Sequence, residues 1–322
     1  MEIGGIIAYL VSLIIMAGIY AVFTLGLNIQ WGYTGLFNIG IAGFFCIGAY
    51  TSALITTPMP SGIYAHYVHQ IFGLNLPFIF GIIGAAAVCG LIAFFIGIPT
   101  LKLREDYLAI ATIGIAETIR LIFNNERWLA NGPRGLMGLP QPLQNLIAAR
   151  NYNYLYLVIV LLILVIVYLA IERGIRSPWG RVLRAIREDE VSAAMSGKDI
   201  FYFKTQSLIW GSMVMGIGGA LYAHYTKAIS PDVFTPLYGT FIIWVMLMVG
   251  GSGNNKGAIL GAFVVWGIWT GTKFVIDLLP TTLKARAFYI RFFLIGILLE
   301  FILIHRPQGL LGEEKKISKM MD

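Results

Sequence analysis

The sequence predicts an all-α fold, a polytopic membrane helical bundle of about eight to nine transmembrane segments, with one segment open to a broken or re-entrant reading. Three observations carry this. Of 322 residues, 58% are hydrophobic and 12% charged, against roughly 25% charged in soluble domains; the mean hydropathy is +0.78. Apolar runs of about 20 residues, the length that crosses a hydrocarbon core at about 1.5 Å per residue, recur along the chain. Lysines and arginines gather between those runs. A chain surrounded by lipid can leave apolar side chains outside, whereas a soluble one must cover them.

Taken in order, the first run is 3–27, too long for a signal-peptide core and preceded by no basic stretch, which makes it a retained span. The second, 33–57, is punctuated by Gly35, Gly40, Gly43 and Gly48, with Asn38 near its start. Each helical glycine costs about 1 kcal/mol relative to alanine. Close helix packing and an unwound, pore-lining stretch are the two readings that explain them. Runs 76–101, 107–123 and 154–171 come next, then 201–225 with a small-residue centre at Gly216, Gly218, Gly219 and Ala220, then 241–249 with its extensions, 258–279 and 288–304.

The positive-inside rule orients these spans. Lys102 and Arg104 mark one cytoplasmic loop. Arg173, Arg176, Arg181, Arg184, Arg187, Lys198 and Lys204 mark a second, and Lys315, Lys316 and Lys319 a third site in the C-terminal tail. Two spans separate the first from the second and four the second from the tail, even numbers as the rule requires. Nine full spans put the N-terminus outside; a re-entrant 33–57 puts it inside. The net charge of +7 belongs to these loops, and no nucleic-acid partner is expected. Cys46 and Cys89 lie in apolar runs and read as buried bystanders. His66 and His69, at i and i+3 in an outside loop, lack a third ligand at motif spacing, so no metal and no cofactor is expected. In 124–153, Asn131-Gly132-Pro133-Arg134-Gly135 and Pro140 are turn formers that predict an ordered outside cap.

The loop 172–204 predicts structure of its own. Val182, Ala185, Ile186 and Asp189 define one face of a short amphipathic helix that continues through Ala193 and Ala194 and stops at Gly197. It reads either as an interfacial helix on anionic lipid or as a docking helix, whose mixture of Arg181, Arg184 and Arg187 with Glu188, Asp189 and Glu190 suits a protein partner. Within the spans, Glu117 and Arg120 are spaced to pair, as a solute-binding couple or as a structural ion pair locking helices. Asn38 can bond solute or a neighbouring helix. Glu300 with Arg291, and Lys273 with Asp277, read as packing charges, and Tyr222 and His224 as residues near a mouth. Residues 32–44 and 250–263 share a weak internal similarity.

Several motifs together resemble the permease subunits of ATP-binding-cassette importers for branched-chain amino acids, the LivM type, over nearly the whole chain. They are Gly32-Tyr33-Thr34-Gly35 through Gly48-Ala49-Tyr50-Thr51, the run 101–110, Asn131-Gly132-Pro133 through Gly138, Gly180 through Gly197, the run 219–224, Ile229-Ser230-Pro231, Gly250-Gly251-Ser252-Gly253 before Gly257, and Arg306-Pro307-Gln308-Gly309-Leu310-Leu311-Gly312. The resemblance implies one transmembrane permease domain over 1–312, with a cytoplasmic coupling loop at 172–204 and a charged tail at 313–322. It implies a multi-pass protein of a prokaryotic cell (inner) membrane. Its implied partners are cytosolic ABC ATPase subunits, a second homologous permease subunit, an extracytoplasmic solute-binding protein and the lipid bilayer. It also implies ATPase contact through Gly180, Arg181, Arg184, Arg187, Glu188, Asp189, Glu190, Ala193, Ala194 and Gly197, the coupling positions proper being Glu190, Ala193, Ala194 and Gly197. In place of a contiguous Glu-Ala-Ala the chain reads Glu190-Val191-Ser192-Ala193-Ala194, and Arg134 stands where such permeases often carry a small or amide residue.

Asn38, Gly40, Gly43, Glu117, Arg120 and Tyr222 are the candidate solute-pathway residues. The chain has no Gly-x-x-x-x-Gly-Lys-Ser/Thr run, so ATP use falls to a partner and the chain itself is not expected to be an enzyme. A related permease for urea or another small solute shares this framework. An ion-coupled secondary transporter would need midplane carboxylates, for which Glu117 is the clear candidate. A membrane enzyme would need a His, Asp or Ser constellation, which four scattered histidines do not supply.

Overall fold

The computed structural model describes residues 3–62, 65, 68–277 and 287–313. Among the described residues the helices are, in chain order, α1 (Ile3–Leu27), α2 (Ile41–Thr56), α3 (Phe78–Thr100), α4 (Glu105–Asn125), the single turn α5 (Arg127–Ala130), α6 (Tyr152–Arg176), α7 (Pro178–Glu188), α8 (Glu190–Met195), α9 (Ile200–Thr226), α10 (Ile242–Gly250), α11 (Asn255–Asp277) and α12 (Ala287–His305). The only sheet among these residues pairs β1 (Leu136–Met137) antiparallel with β2 (Ala228–Ile229), Leu136 opposite Ile229.

Helix α1 carries no polar stripe, and every residue from Ala17 to Gln30 is buried. A helix apolar on all sides belongs inside a bundle. It sits there against α6, α9 and α11. Helices α3 and α6 lie at the periphery, and their exposed Ile79, Ile83, Leu91, Phe95, Val158, Leu162 and Ile166 form the outward surface expected of a lipid-facing helix.

Side-chain contacts identify the two ends of the bundle. At the basic end meet the 101–104 loop, α7, α8 and residues 306–313. At the far end lie the β1–β2 pair and the bridges of Pro58 with Leu74 and of Gln70 with Ala130. Ser12 Oγ is 2.6 Å from Tyr225 OH near the far end of α9, whereas the Gly32 carbonyl accepts from Arg187 at the basic end. Helix α1 therefore starts at the far end. Residues 33–57 leave the basic end at Gly35, beside Arg187, and reach the far end at Thr57. That segment crosses completely and is not re-entrant. Among the described residues, α1, α2, α3, α4, α6, α9, the stretch 231–250, α11 and α12 run from end to end.

By length and apolarity alone, three stretches suffice to cross a bilayer: Gly4–Gly32, Phe78–Thr100 and Ala149–Arg176. Other crossings depend on their neighbours. Helix α2 has 16 residues and α10 nine, about 24 and 14 Å of rise. Each needs a lead-in that is not α-helical to reach the opposite end. Irregular backbone at that depth is tolerated where protein buries it and satisfies its polar groups.

Candidate functional site: the interrupted crossings and the projecting loop

The lead-in to α2 starts from a π turn, Asn28–Gly32, and runs without helix through Gly40. The lead-in to α10 is a 3-10 turn, Pro231–Phe234, succeeded by a π turn, Leu237–Phe241. The two interruptions touch. The Ala42 amide donates to Thr240 Oγ1 at 3.1 Å, and Thr240 Oγ1 donates to the Ile39 carbonyl at 3.2 Å. Trp244 Nε1 donates to the Asn38 carbonyl at 3.1 Å, and the Ile39 amide to Thr112 Oγ1 of α4 at 3.0 Å. Asn38 Oδ1 accepts from the Gly40 amide at 2.7 Å, and its Nδ2 donates to Gln30 Oε1 at 2.8 Å. Side chains thus supply the hydrogen bonds that a continuous helix would have made.

Of the candidate pathway residues, Asn38, Gly40 and Gly43 lie together on the seam between α2 and α4. A Cβ on Gly40 would stand 2.7 Å from the Thr112 carbonyl oxygen, and one on Gly43 2.9 Å from Ala116 Cα, so both glycines admit α4 at close range. Glu117 and Arg120 occupy the adjoining stretch of α4. They bond to each other in a bidentate pair, with Arg120 Nη2 2.5 Å from Glu117 Oε1. The pair lies within one helix. Tyr222 lies across α2, its ring edge-on to Phe45 at 5.0 Å. His224 is fully buried, 2.9 Å from Ser52 Oγ and 2.8 Å from the Pro140 carbonyl oxygen, and lies in the wall of an open cavity that Phe78, Pro140 and Leu155 also line. Arg291 lies over the Trp269 ring, 5.6 Å from its centroid, and is not paired with Glu300. The side chains of Lys273 and Asp277, residue His66, and Lys315, Lys316 and Lys319 lie outside those described; His69 is exposed. The similar stretches 32–44 and 250–263 differ locally, since the first runs extended into α2 and the second turns at once into α11.

The loop between α6 and α9 forms two helices, where the sequence suggests one. Asp189 leaves the helical region (φ −155°, ψ 106°) and caps α8. Its Oδ1 accepts from the Val191 amide at 2.9 Å and the Ser192 amide at 3.2 Å, and its Oδ2 from Ser192 Oγ at 2.5 Å. The buried row also differs from the expected Val182, Ala185, Ile186, Asp189 face. Gly180, Leu183 and Ile186 are buried at i, i+3 spacing, while Ala185 and Asp189 are exposed. The arginines turn the face. Arg184 Nη2 donates to the Ile175 carbonyl at 3.2 Å, and Arg187 donates to the Gly32 carbonyl and pairs with Glu313 at 2.7 Å. Gly180 sits so close to the end of α6 that its Cβ would overlap the Ile175 carbonyl.

Beyond this seat α8 projects. Ala193 is buried, Glu190 pairs with Lys204 of α9 at 2.5 Å, and Val191 and Met195 stand 62% and 84% exposed. Arg181, Glu188 and Ala194 are exposed beside them, and Gly197 ends the helix at φ +75° with open space around it. The exposed apolar pair was missed in the sequence; Val191 and Met195 at i, i+4 after a capping Asp were the available signal.

The cap is testable. Hydrogen bonds to Ser192, first from its hydroxyl and then from its amide, together with the Val191 amide, hold the Asp189 carboxyl below its usual range. A lowered folded pKa stabilises α8 above the unfolded value and is lost as pH falls through the folded one. Asp189→Ala is expected to accelerate amide exchange at Val191 and Ser192, and Asp189→Asn to do so less. In the unmodified chain that protection is expected to fail only in acid below the ordinary aspartate range. Equal exchange in the alanine variant and the wild type would remove the cap assignment.

An all-helical bundle with apolar outward faces, opposed interrupted crossings and a structured loop projecting from its basic end is that of a multi-pass membrane protein. The family described as "Branched-chain amino acid transport system / permease component" matches residues 9–303. This chain belongs to that family. It is 30% identical to the "Probable branched-chain amino acid transport permease protein LivM" of Methanocaldococcus jannaschii, over 97% of this chain and 96% of that one. It is 31% identical to the "High-affinity branched-chain amino acid transport system permease protein LivM" of Salmonella typhimurium, over 94% of this chain and 69% of that protein. A more distant likeness, 22% over 76% of each chain, is to the "Nucleoside ABC transporter permease protein NupC" of Lactococcus lactis. No solved structure matches.

Proposed function

We propose that this chain is the transmembrane permease subunit of an ATP-binding-cassette importer for branched-chain (hydrophobic) amino acids in a prokaryotic cell (inner) membrane. Residues 1–312 form its single permease domain. The carrying observation is α8, an anchored helix with Val191 and Met195 exposed at the basic end, where a cytosolic ATPase subunit would seat. Kinship with proteins named for branched-chain amino acid transport supports the solute class. ATP is hydrolysed by the partner, a second homologous permease completes the translocation path, and an extracytoplasmic binding protein delivers solute to the far end. Binding of ATP drives the paired permeases between inward and outward states to the extent that it favours one of them.

Asn38, Gly40, Gly43, Glu117 and Arg120 form the pathway side of this reading, with Tyr222 behind α2. The test is uptake in proteoliposomes holding the complete complex and binding protein, with leucine, isoleucine and valine set against urea and a nucleoside. ATP-dependent accumulation of the branched-chain amino acids alone is the expected result. Ion-driven uptake by the chain without ATP would replace the reading with a secondary transporter, and ATP-dependent accumulation of urea or the nucleoside would replace the solute.

A further inference from the structure

We propose that Arg187 and Gln30 are positioning residues, through which α7 and the π turn Asn28–Gly32 set the interrupted segment 35–40. This rests on the reading of the chain as a permease driven through its α7–α8 loop. The basis is a continuous set of bonds from the basic end to the interruption. Arg187 donates one guanidinium nitrogen to the Gly32 carbonyl and another to Glu313 at 2.7 Å. Its stem lies against Gly35, where φ is +75° and a Cβ would stand 3.3 Å from Arg187 Cγ, so conformation favours glycine and any side chain there would crowd the arginine stem. From the same π turn, Gln30 spends its whole amide on two destinations. Nε2 donates to the Leu208 carbonyl at 3.0 Å and Ser212 Oγ at 3.2 Å, both on α9, and Oε1 accepts from Asn38 at 2.8 Å.

The other side of the turn is pinned. Asn28 Nδ2 donates to Asn255 Oδ1 at 3.0 Å, Asn28 Oδ1 accepts from the Gly253 amide at 2.9 Å, and Asn255 Nδ2 donates to Glu172 at 2.8 Å. With Asn28 held by Gly253 and by Asn255, itself tied to Glu172 of α6, a pull on Gly32 is taken up between Gln30 and Asn38. The turn itself is suited to that. Tyr33 N bonds to the Asn28 carbonyl, five residues back, at 3.0 Å. Such π turns recur at functional sites, and tightening one to the four-residue spacing rotates the chain beyond it by about 100°. The rotated stretch here is Gly35 to Gly40, the segment opposed to the second interruption.

The experiment uses the complete complex with binding protein in proteoliposomes and reads solute moved per ATP hydrolysed for Gln30→Met, Arg187→Ala and both together. A purely structural role lowers the amount of assembled complex, scaling uptake and hydrolysis alike and leaving the ratio unmoved. Each single variant is expected to lower the ratio about tenfold, within the range typical of couplings between sites. The double variant is expected to fall no further than the worse single, because both act on one relay. Arg187→Lys, which keeps a cation beside Glu313, is expected to recover part of the ratio and serves where the alanine variant does not assemble. An unmoved ratio, or losses that multiply in the double variant, overturns the relay. Absence of ATP-driven uptake in the wild-type complex would instead overturn the functional reading, and the relay with it.

Discussion

Met195→Asp is expected to leave the bundle folded and inserted while detaching the ATP-hydrolysing partner proposed to seat on α8. The side chain is 84% exposed at the end of α8 and Val191, one turn earlier, is 62% exposed. At i and i+4 they share one face of a helix whose other contacts lie elsewhere. Asp189 caps the helix, Ala193 is buried against the bundle, and Glu190 pairs with Lys204. A surface methionine contributes little to the stability of an isolated chain. Seated in an apolar cleft it contributes about 1.5–3 kcal/mol, and a carboxylate forced into that cleft unpaired costs several kcal/mol. At 1.4 kcal/mol per tenfold, affinity for the partner should fall at least about a hundredfold. Co-purification of the ATPase subunit from detergent, with ATP-dependent uptake measured next, is the check. Val191→Asp should act in the same direction, and the two together should behave as one lesion. Retained partner and normal uptake in both variants would remove α8 as the seat.

The composition alone made the membrane class legible, and the even numbers of spans between basic loops made it legible that those loops meet at one end of the bundle, because both depend on local sequence. The two interruptions were legible to different degrees. Gly35, Gly40 and Asn38 marked the first as unusual, but whether it crossed or turned back depended on Arg187 meeting Gly32 and Gly35, 155 residues away for the hydrogen bond. No window over 33–57 contains that contact. The second interruption was read as a helix with extensions, although Pro231 and Pro236 stand in the very stretch that proves to be 3-10 and π. Proline removes an amide donor and clashes with a preceding turn, so the signal was present and outweighed by the apolar run after it.

In the projecting loop, periodicity was the weaker guide. Leu183 and Ile186 form the buried row because Arg184 and Arg187 donate to the carbonyls of Ile175 and Gly32 outside α7, and a hydrophobic count scores such arginines as exposed polar positions. The break at Asp189 reflects the preference of Asp for helix N-termini, and that rule was available. The candidate pathway divides similarly. The glycines of α2 were recognisable as close-packing positions, while the partners of Asn38 and Ile39 come from the π turn, α4 and α10 and could be assembled only in three dimensions.

Gly48 offers the sharpest test of that close packing. A Cβ placed there would stand 2.6 Å from Gly216 Cα and nearer still to its carbonyl oxygen. On the opposing helix, a Cβ on Gly219 would stand 2.6 Å from the Phe45 carbonyl oxygen and 2.8 Å from the Ala49 amide nitrogen. Here backbone meets backbone, and no rotamer change relieves the overlap; α2 and α9 must separate. Separation also withdraws Ser52 from His224 and leaves a buried imidazole with one partner fewer. Overpacking costs about 1–3 kcal/mol where side chains can yield, so Gly48→Val should exceed that range and abolish monodisperse protein in detergent. Gly114 supplies the control. It lies in α4 with nothing within 4 Å of its added Cβ, and Gly114→Ala should raise the melting temperature of the isolated chain, since alanine favours a helix over glycine by about 1 kcal/mol. A stable Gly48→Val chain would show that α2 and α9 pack less closely than this, and the seam that carries Asn38, Gly40 and Gly43 on the other face of α2 would then lose its rigid support.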